Sequence, residues 1–147
     1  MRVRCSIFCP ENCQLTIWLV KIMSLGYIGY CKKACEDENA VVYAYSGADW
    51  NSPNCDRAAE KAYDGELYVS KSVLGWTRTK SKQQTEFIDW TYKAIEEGDA
   101  GVLRPCKNAF LRNNSYKIDY IAHLLLHNIF KRIYHEGVFP ENEAFIQ

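Results

Sequence analysis

The sequence predicts an α+β domain, a small antiparallel sheet of three to four strands packed against a long C-terminal helix. Three observations predict it. Two β-branched and aromatic runs flank a short polar knot within residues 25–46. A third alternating run occupies residues 66–74. Over residues 116–136 apolar side chains recur at helical spacing.

Each element has its own warrant. Tyr27, Ile28, Tyr30 and Cys31 precede Glu36-Asp37-Glu38-Asn39, and Val41, Val42, Tyr43 and Tyr45 resume the run. Two such runs around a polar turn form a β-hairpin. In a regular strand Cys31 and Cys35 share a face but stand ~13 Å apart at ~3.3 Å per residue, too far for a bridge. Both are read as small half-buried side chains. Residues 47–54 (GADWNSPN) gather turn formers. Residues 55–63 (CDRAAEKAY) suit a short helix with Asp56 near its start, broken by Asp64-Gly65. Residues 66–74 (ELYVSKSVL) alternate as a strand, with Leu67, Val69 and Val73 on one face.

Residues 85–97 place Phe87, Ile88, Tyr92 and Ile95 near helical spacing, and Gly98 stops them. Pro105 makes residues 101–111 an edge strand or a loop. Asn113, Asn114 and Ser115 offer N-caps for the helix over 116–136, which Gly137 and Pro140 end. Ile118, Ala122, Leu125, Ile129 and Ile133 fall in one narrow arc at ~100° per residue, widened by Ile121 and Leu126. That arc should form the core against the sheet.

Composition narrows the function classes. A chain of 147 residues, 48% apolar and 24% charged, has the length and hydrophobicity to fold as one domain. Eighteen basic residues balance eighteen acidic ones. A neutral chain gains no general pull toward nucleic acid or an anionic membrane, so neither is an expected partner. The apolar run LTIWLV (15–20) is cut off by Lys21, short of a membrane span or a secretory core. The expected compartment is the cytoplasm. Ten tyrosines in a chain that is 14% aromatic favour a protein partner.

Seven cysteines, an odd number, argue against a disulfide scaffold. In a helix Cys5 and Cys13 would stand ~12 Å apart, too far to share an ion whose Zn–S bonds are about 2.3 Å. Pro10 also resists a helix there. Residues 1–22 lack a clean period and read as a non-core N-terminal extension. Met23 is the expected start of a domain covering 23–147.

Few constellations suggest chemistry. Asp119, His123 and His127 lie on the predicted long helix, and His-x3-His is a spacing used by zinc sites. The residue after His123 is Leu124, so the His-Glu-x-x-His pattern is absent. On the wheel both histidines lie away from the apolar arc, which makes a solvated polar face the competing reading. Cys55 is the other candidate, as the nucleophile of a cysteine hydrolase. No phosphate loop or dinucleotide fingerprint occurs, so no cofactor is expected.

Residues 31–66 hold eight acids against four bases. Asp49, Asp56, Glu60, Asp64 and Glu66 suit a cation site, an acidic docking patch or plain helix-start and surface chemistry. The stretch Trp76-Thr77-Arg78-Thr79-Lys80-Ser81-Lys82 suits a nucleic-acid contact or a solvated loop. The residues expected to meet a partner are Asp49, Trp50, Asp56, Glu60, Asp64, Trp76 and Arg78.

The stretches GYIGYCKKACEDENAVVYAYSGADWN, AEKAYDGELYVSKSVL and HNIFKRIYHEGVFPE resemble a group of short bacterial proteins, mostly of gut Firmicutes, that carry no assigned function. The resemblance covers most of residues 23–147 and implies a bacterial accessory protein, for which toxin immunity is one role. The expected function is a non-enzymatic cytoplasmic protein-binding module of antitoxin or immunity type. The alternative is a metal-dependent or cysteine hydrolase using the Asp119/His123/His127 face or Cys55.

Overall fold

The computed structural model describes residues 26–76, 84–111 and 118–147, and the side chains of all of these except 84–87. The proposed extension 1–22 with Cys5, Cys9 and Cys13 lies outside the described residues, as do Arg78 and the caps Asn113, Asn114 and Ser115.

The chain builds β1 (Tyr27–Glu36), β2 (Ala40–Asp49), β3 (Gly65–Ser70), α1 (Gln84–Glu97), β4 (Ala100–Arg104), α2 (Tyr120–Glu136) and β5 (Asn142–Ile146). The α+β class is as expected. The sheet has five antiparallel strands in the order β4-β3-β2-β1-β5, against the three to four expected. The additional strand is β5, so the long helix is followed by an edge strand and does not close the chain. Among the described residues no helix is long and apolar enough to cross a membrane.

The β1–β2 turn forms because the Asp37 carboxylate accepts from the N–H groups of Asn39 and Ala40, at 2.7 and 2.8 Å. A register irregularity between Lys33 and Cys35 inserts Ala34 into β1. That irregularity corrects the reading of two half-buried cysteines on one face. Cys31 stays in the core, and the bulge turns Cys35 out to solvent. The strand expected over 66–74 ends at Ser70, whose hydroxyl caps a 3-10 turn by accepting from Ser72 N–H. Val73 is still buried, from that turn. The expected helix over 55–63 is only one 3-10 turn, Arg57–Ala59, capped by Asp56.

Alternation gives the sheet two unlike faces. Val41, Tyr43 and Tyr45 of β2, with Leu67 and Val69 of β3, are fully buried in the helix-side core. Against them α2 lays Ala122, Leu125, Leu126, Ile129 and Ile133, nearly the predicted arc. Asp119 is its N-cap, and Gly137, at φ 73°, its left-handed C-cap. α1 packs on α2 and β4 through Thr91 and Ala94. Ile88 and Tyr92, expected on the apolar face of α1, are substantially exposed. On the opposite sheet face, Tyr30 pairs with Ser46, and Lys32 with Ala44. Among the described residues this face meets no α-helix. Part of it is covered by the connection from β2 to β3.

At Gly47 the strand β2 comes close to both β1 and α2. A Cβ there would stand 2.3 Å from the Ile28 carbonyl oxygen and 2.9 Å from the Ile121 side chain. Gly47→Ala should therefore cost about 1–3 kcal/mol by overpacking. A urea midpoint indistinguishable from wild type would show that the strands separate freely.

Candidate functional site

The β2–β3 connection folds back over the helix-free sheet face. Ser46, fully buried on that face, donates its hydroxyl to the Glu60 carbonyl at 2.8 Å and pins the connection down. Three cation–aromatic pairs then form side by side. The Arg57 guanidinium lies 4.8 Å from the Trp50 ring centroid, Lys61 Nζ 4.9 Å from that of Tyr30, and Lys32 Nζ 4.2 Å from that of Tyr63.

Glu60 is the hub of this cluster. It accepts from Trp50 Nε1 at 2.5 Å and lies 3.6 Å from Arg57 Nε. It also faces Tyr30, whose phenol is held above its ordinary value by burial first and the Glu60 charge second. Tyr63 has φ 51°, a left-handed backbone that bulky side chains rarely adopt. Such strain costs about 1–3 kcal/mol and collects at sites where geometry matters to function.

The carboxylates of the expected acidic patch have local partners. Asp56 caps Ala58 N–H and meets Lys107 Nζ at 2.6 Å, and Lys107 first, then that N–H, hold its carboxyl below the usual range. Asp64 accepts from Lys107 N–H at 3.0 Å, Asp49 from Asn51 N–H at 3.0 Å, and Glu66 lies 3.5 Å from Arg104. The carboxylates are engaged, while Lys32 and Lys61 make no ion pair among the described residues and are exposed. Within the cation–aromatic cluster itself, Lys32, Arg57 and Lys61 stand against Glu60, although the sequence segment is acidic.

Trp76 lies elsewhere. It stacks on Phe130 of α2 (6.1 Å, 7°) and meets Trp90 of α1 edge-on at 5.2 Å, so it belongs to the helix side. The structure brings Trp50 and Glu60 together, leaves Asp49, Asp56 and Asp64 as loop-fixing groups, and separates Trp76 from all five. Sequence reasoning missed Tyr30, Lys32, Arg57, Lys61 and Tyr63. The one signal available was aromatic residues close to cations: Tyr30 beside Lys32 in β1, and Tyr63 after Arg57 and Lys61 in the connection.

The hydrolase candidates take structural positions. Asp119 Oδ1 accepts from Ala122 N–H at 2.9 Å, and Oδ2 from the Tyr45 hydroxyl at 2.6 Å. Burial raises its carboxyl above the ordinary value, against the opposing pull of those bonds. His123 is 6% exposed and its ring lies 5.0 Å from that of Tyr92. This corrects the solvated-face reading: α1 covers the side of α2 that the wheel left to water. Among the described residues no group of three His, Cys, Asp or Glu side chains is arranged to hold a metal ion. Cys55 lines a cavity of about 340 Å³ with Asp49, Ser52, Lys107, Asn108 and Phe110, and among the described residues no histidine lines it. Burial pushes the Cys31 and Cys106 thiols up to about 12, far from thiolate chemistry at neutral pH.

These features define a two-layer α+β domain with helices on one sheet face and a cation–aromatic cluster on the other. No protein-family model matches the chain, and no curated protein or solved structure shows significant similarity to it.

Proposed function

We propose that the chain is a non-enzymatic protein-binding module of the cytoplasm, of antitoxin or immunity type, that docks its partner on the helix-free sheet face. The observation that carries this reading is the cluster of Trp50, Arg57, Tyr30 and Tyr63 held around Glu60. Tryptophan, tyrosine and arginine dominate binding energy at protein interfaces. Here they are fixed before any partner arrives, which reduces the entropy lost on binding. Cys31, Cys35, Cys55 and Cys106 are free thiols, which suits a reducing compartment.

Two variants test the reading. Trp50→Ala should weaken a partner captured from the native host by about 2 kcal/mol, roughly thirtyfold in Kd. Tyr63→Gly should also weaken it. That variant removes a ring but frees a left-handed backbone, so its urea midpoint should stay level or rise. A purified partner that binds both variants as it binds wild type would refute the docking surface. So would a Tyr63→Gly protein that fails to fold, because the ring would then be structural.

A further inference from the structure

We infer that this surface takes an acidic polypeptide segment. The inference rests on the protein-binding reading and specifies the chemistry of the partner. Charge complementarity carries it. Lys33, Lys71, Lys107, Arg104 and Arg132 each lie within 4.0 Å of a carboxylate. Among the described residues Lys32 and Lys61 do not, and both stand on tyrosine rings on the helix-free face.

Among the described residues Glu60 is the one carboxylate within the cluster, against Lys32, Arg57 and Lys61, and it is already shared by Trp50 and Arg57. The cluster therefore carries an excess of positive charge on a chain whose total charge balances. A ring face satisfies an ammonium group only in part, worth about 0.5–1 kcal/mol at an exposed site. The remaining N–H donors point away from the ring. A carboxylate can accept from them without displacing the lysine, so the two side chains are ordered in advance for an anion.

A nucleic-acid strand fits less well. One face of each ring already holds a cation, whereas strand binding uses free ring faces as stacking platforms. Neutralising a phosphate backbone commonly draws on about six to ten cations, and this cluster has three. Carboxylates spaced along a polypeptide match a small, fixed set of cations better.

Fluorescence anisotropy on the full chain decides the matter. The probes are a short labelled peptide alternating glutamate and serine, its glutamine counterpart, and a labelled oligothymidine. The glutamate peptide should bind and the glutamine peptide should not. Raising the salt should weaken binding, and Lys32→Glu with Lys61→Glu should weaken it about tenfold or more. Lys93→Glu with Lys131→Glu, an equal charge change on the helices, should stay within about twofold.

Equal binding of the glutamine peptide overturns the inference. So does equal weakening by the helix variant, which would make the effect one of general charge. Tighter binding of oligothymidine through the same two lysines overturns it in favour of nucleic acid. A natural partner that needs Trp50 but binds the Lys32→Glu/Lys61→Glu chain as well as wild type overturns the acidic chemistry alone. Absence of any Trp50-dependent protein partner overturns the broader reading, whatever the peptides do.

Discussion

Leu125→Ala or Ile129→Ala should each destabilise the domain by about 2–5 kcal/mol, the range for large-to-small changes at buried sites. Both side chains are fully buried where α2 meets the sheet. The same core holds Tyr43, Tyr45 and Leu67 from the sheet and Phe130 from α2, all fully buried. Tyr43 donates its hydroxyl to the Pro140 carbonyl at 2.8 Å, and Tyr45 to Asp119 at 2.6 Å. Rings tethered at both ends have little freedom to collapse into a cavity, which places the cost in the upper part of the range. A domain of this size has a total of about 5–15 kcal/mol, so either variant stands close to unfolding. Urea denaturation measures the difference. A loss below about 1 kcal/mol at both positions would mean that α2 does not lie on the sheet as described.

The same residues show how much of the fold could be read from the sequence. The hairpin was legible because β-branched and aromatic residues and the turn-forming Asp37 act locally. The end of α2 was legible for the same reason: Gly137 relieves a left-handed backbone wherever it stands. β5 was not legible, because only Phe145 of its five residues turns an apolar side chain inward, beneath Gly29. Such a strand exists because β1 offers it a partner, which is a long-range fact.

The orientation of the histidines failed for a related reason. A helical wheel assumes one packing neighbour, and α2 has two, the sheet and α1. The candidate site was half legible. Trp50 and Glu60 were singled out, but the cations gathered around them were not. Carboxylates were counted along the chain, whereas the cation that meets Asp56 and the N–H that meets Asp64 both belong to Lys107, more than forty residues away.

His123 supplies the second large effect, and it depends on pH. Burial first, and the neighbouring His127 second, lower its imidazole from the ordinary 6.5 to about 4. The folded state therefore favours the neutral ring, and the unfolded chain takes up the proton first. No cost arises above pH 6.5. Stability then falls with pH from 6.5 down to about 4 and levels off below. Each tenfold change in proton affinity is about 1.4 kcal/mol, so the accumulated loss near pH 4 is about 3 kcal/mol. Asp119 and Glu143 act in the opposite sense. Burial raises both carboxyls, so the folded state takes up their protons first as the pH falls toward the ordinary carboxylate values, and some stability is regained. The total acid response mixes these contributions, and the His123 part is isolated by substitution. His123→Gln keeps a polar side chain of similar reach but cannot titrate. Urea stabilities of both proteins at pH 7 and pH 4 should show wild type losing about 3 kcal/mol more than the variant across that interval. Equal losses would place His123 in water in the folded protein, and α1 would then not cover that side of α2.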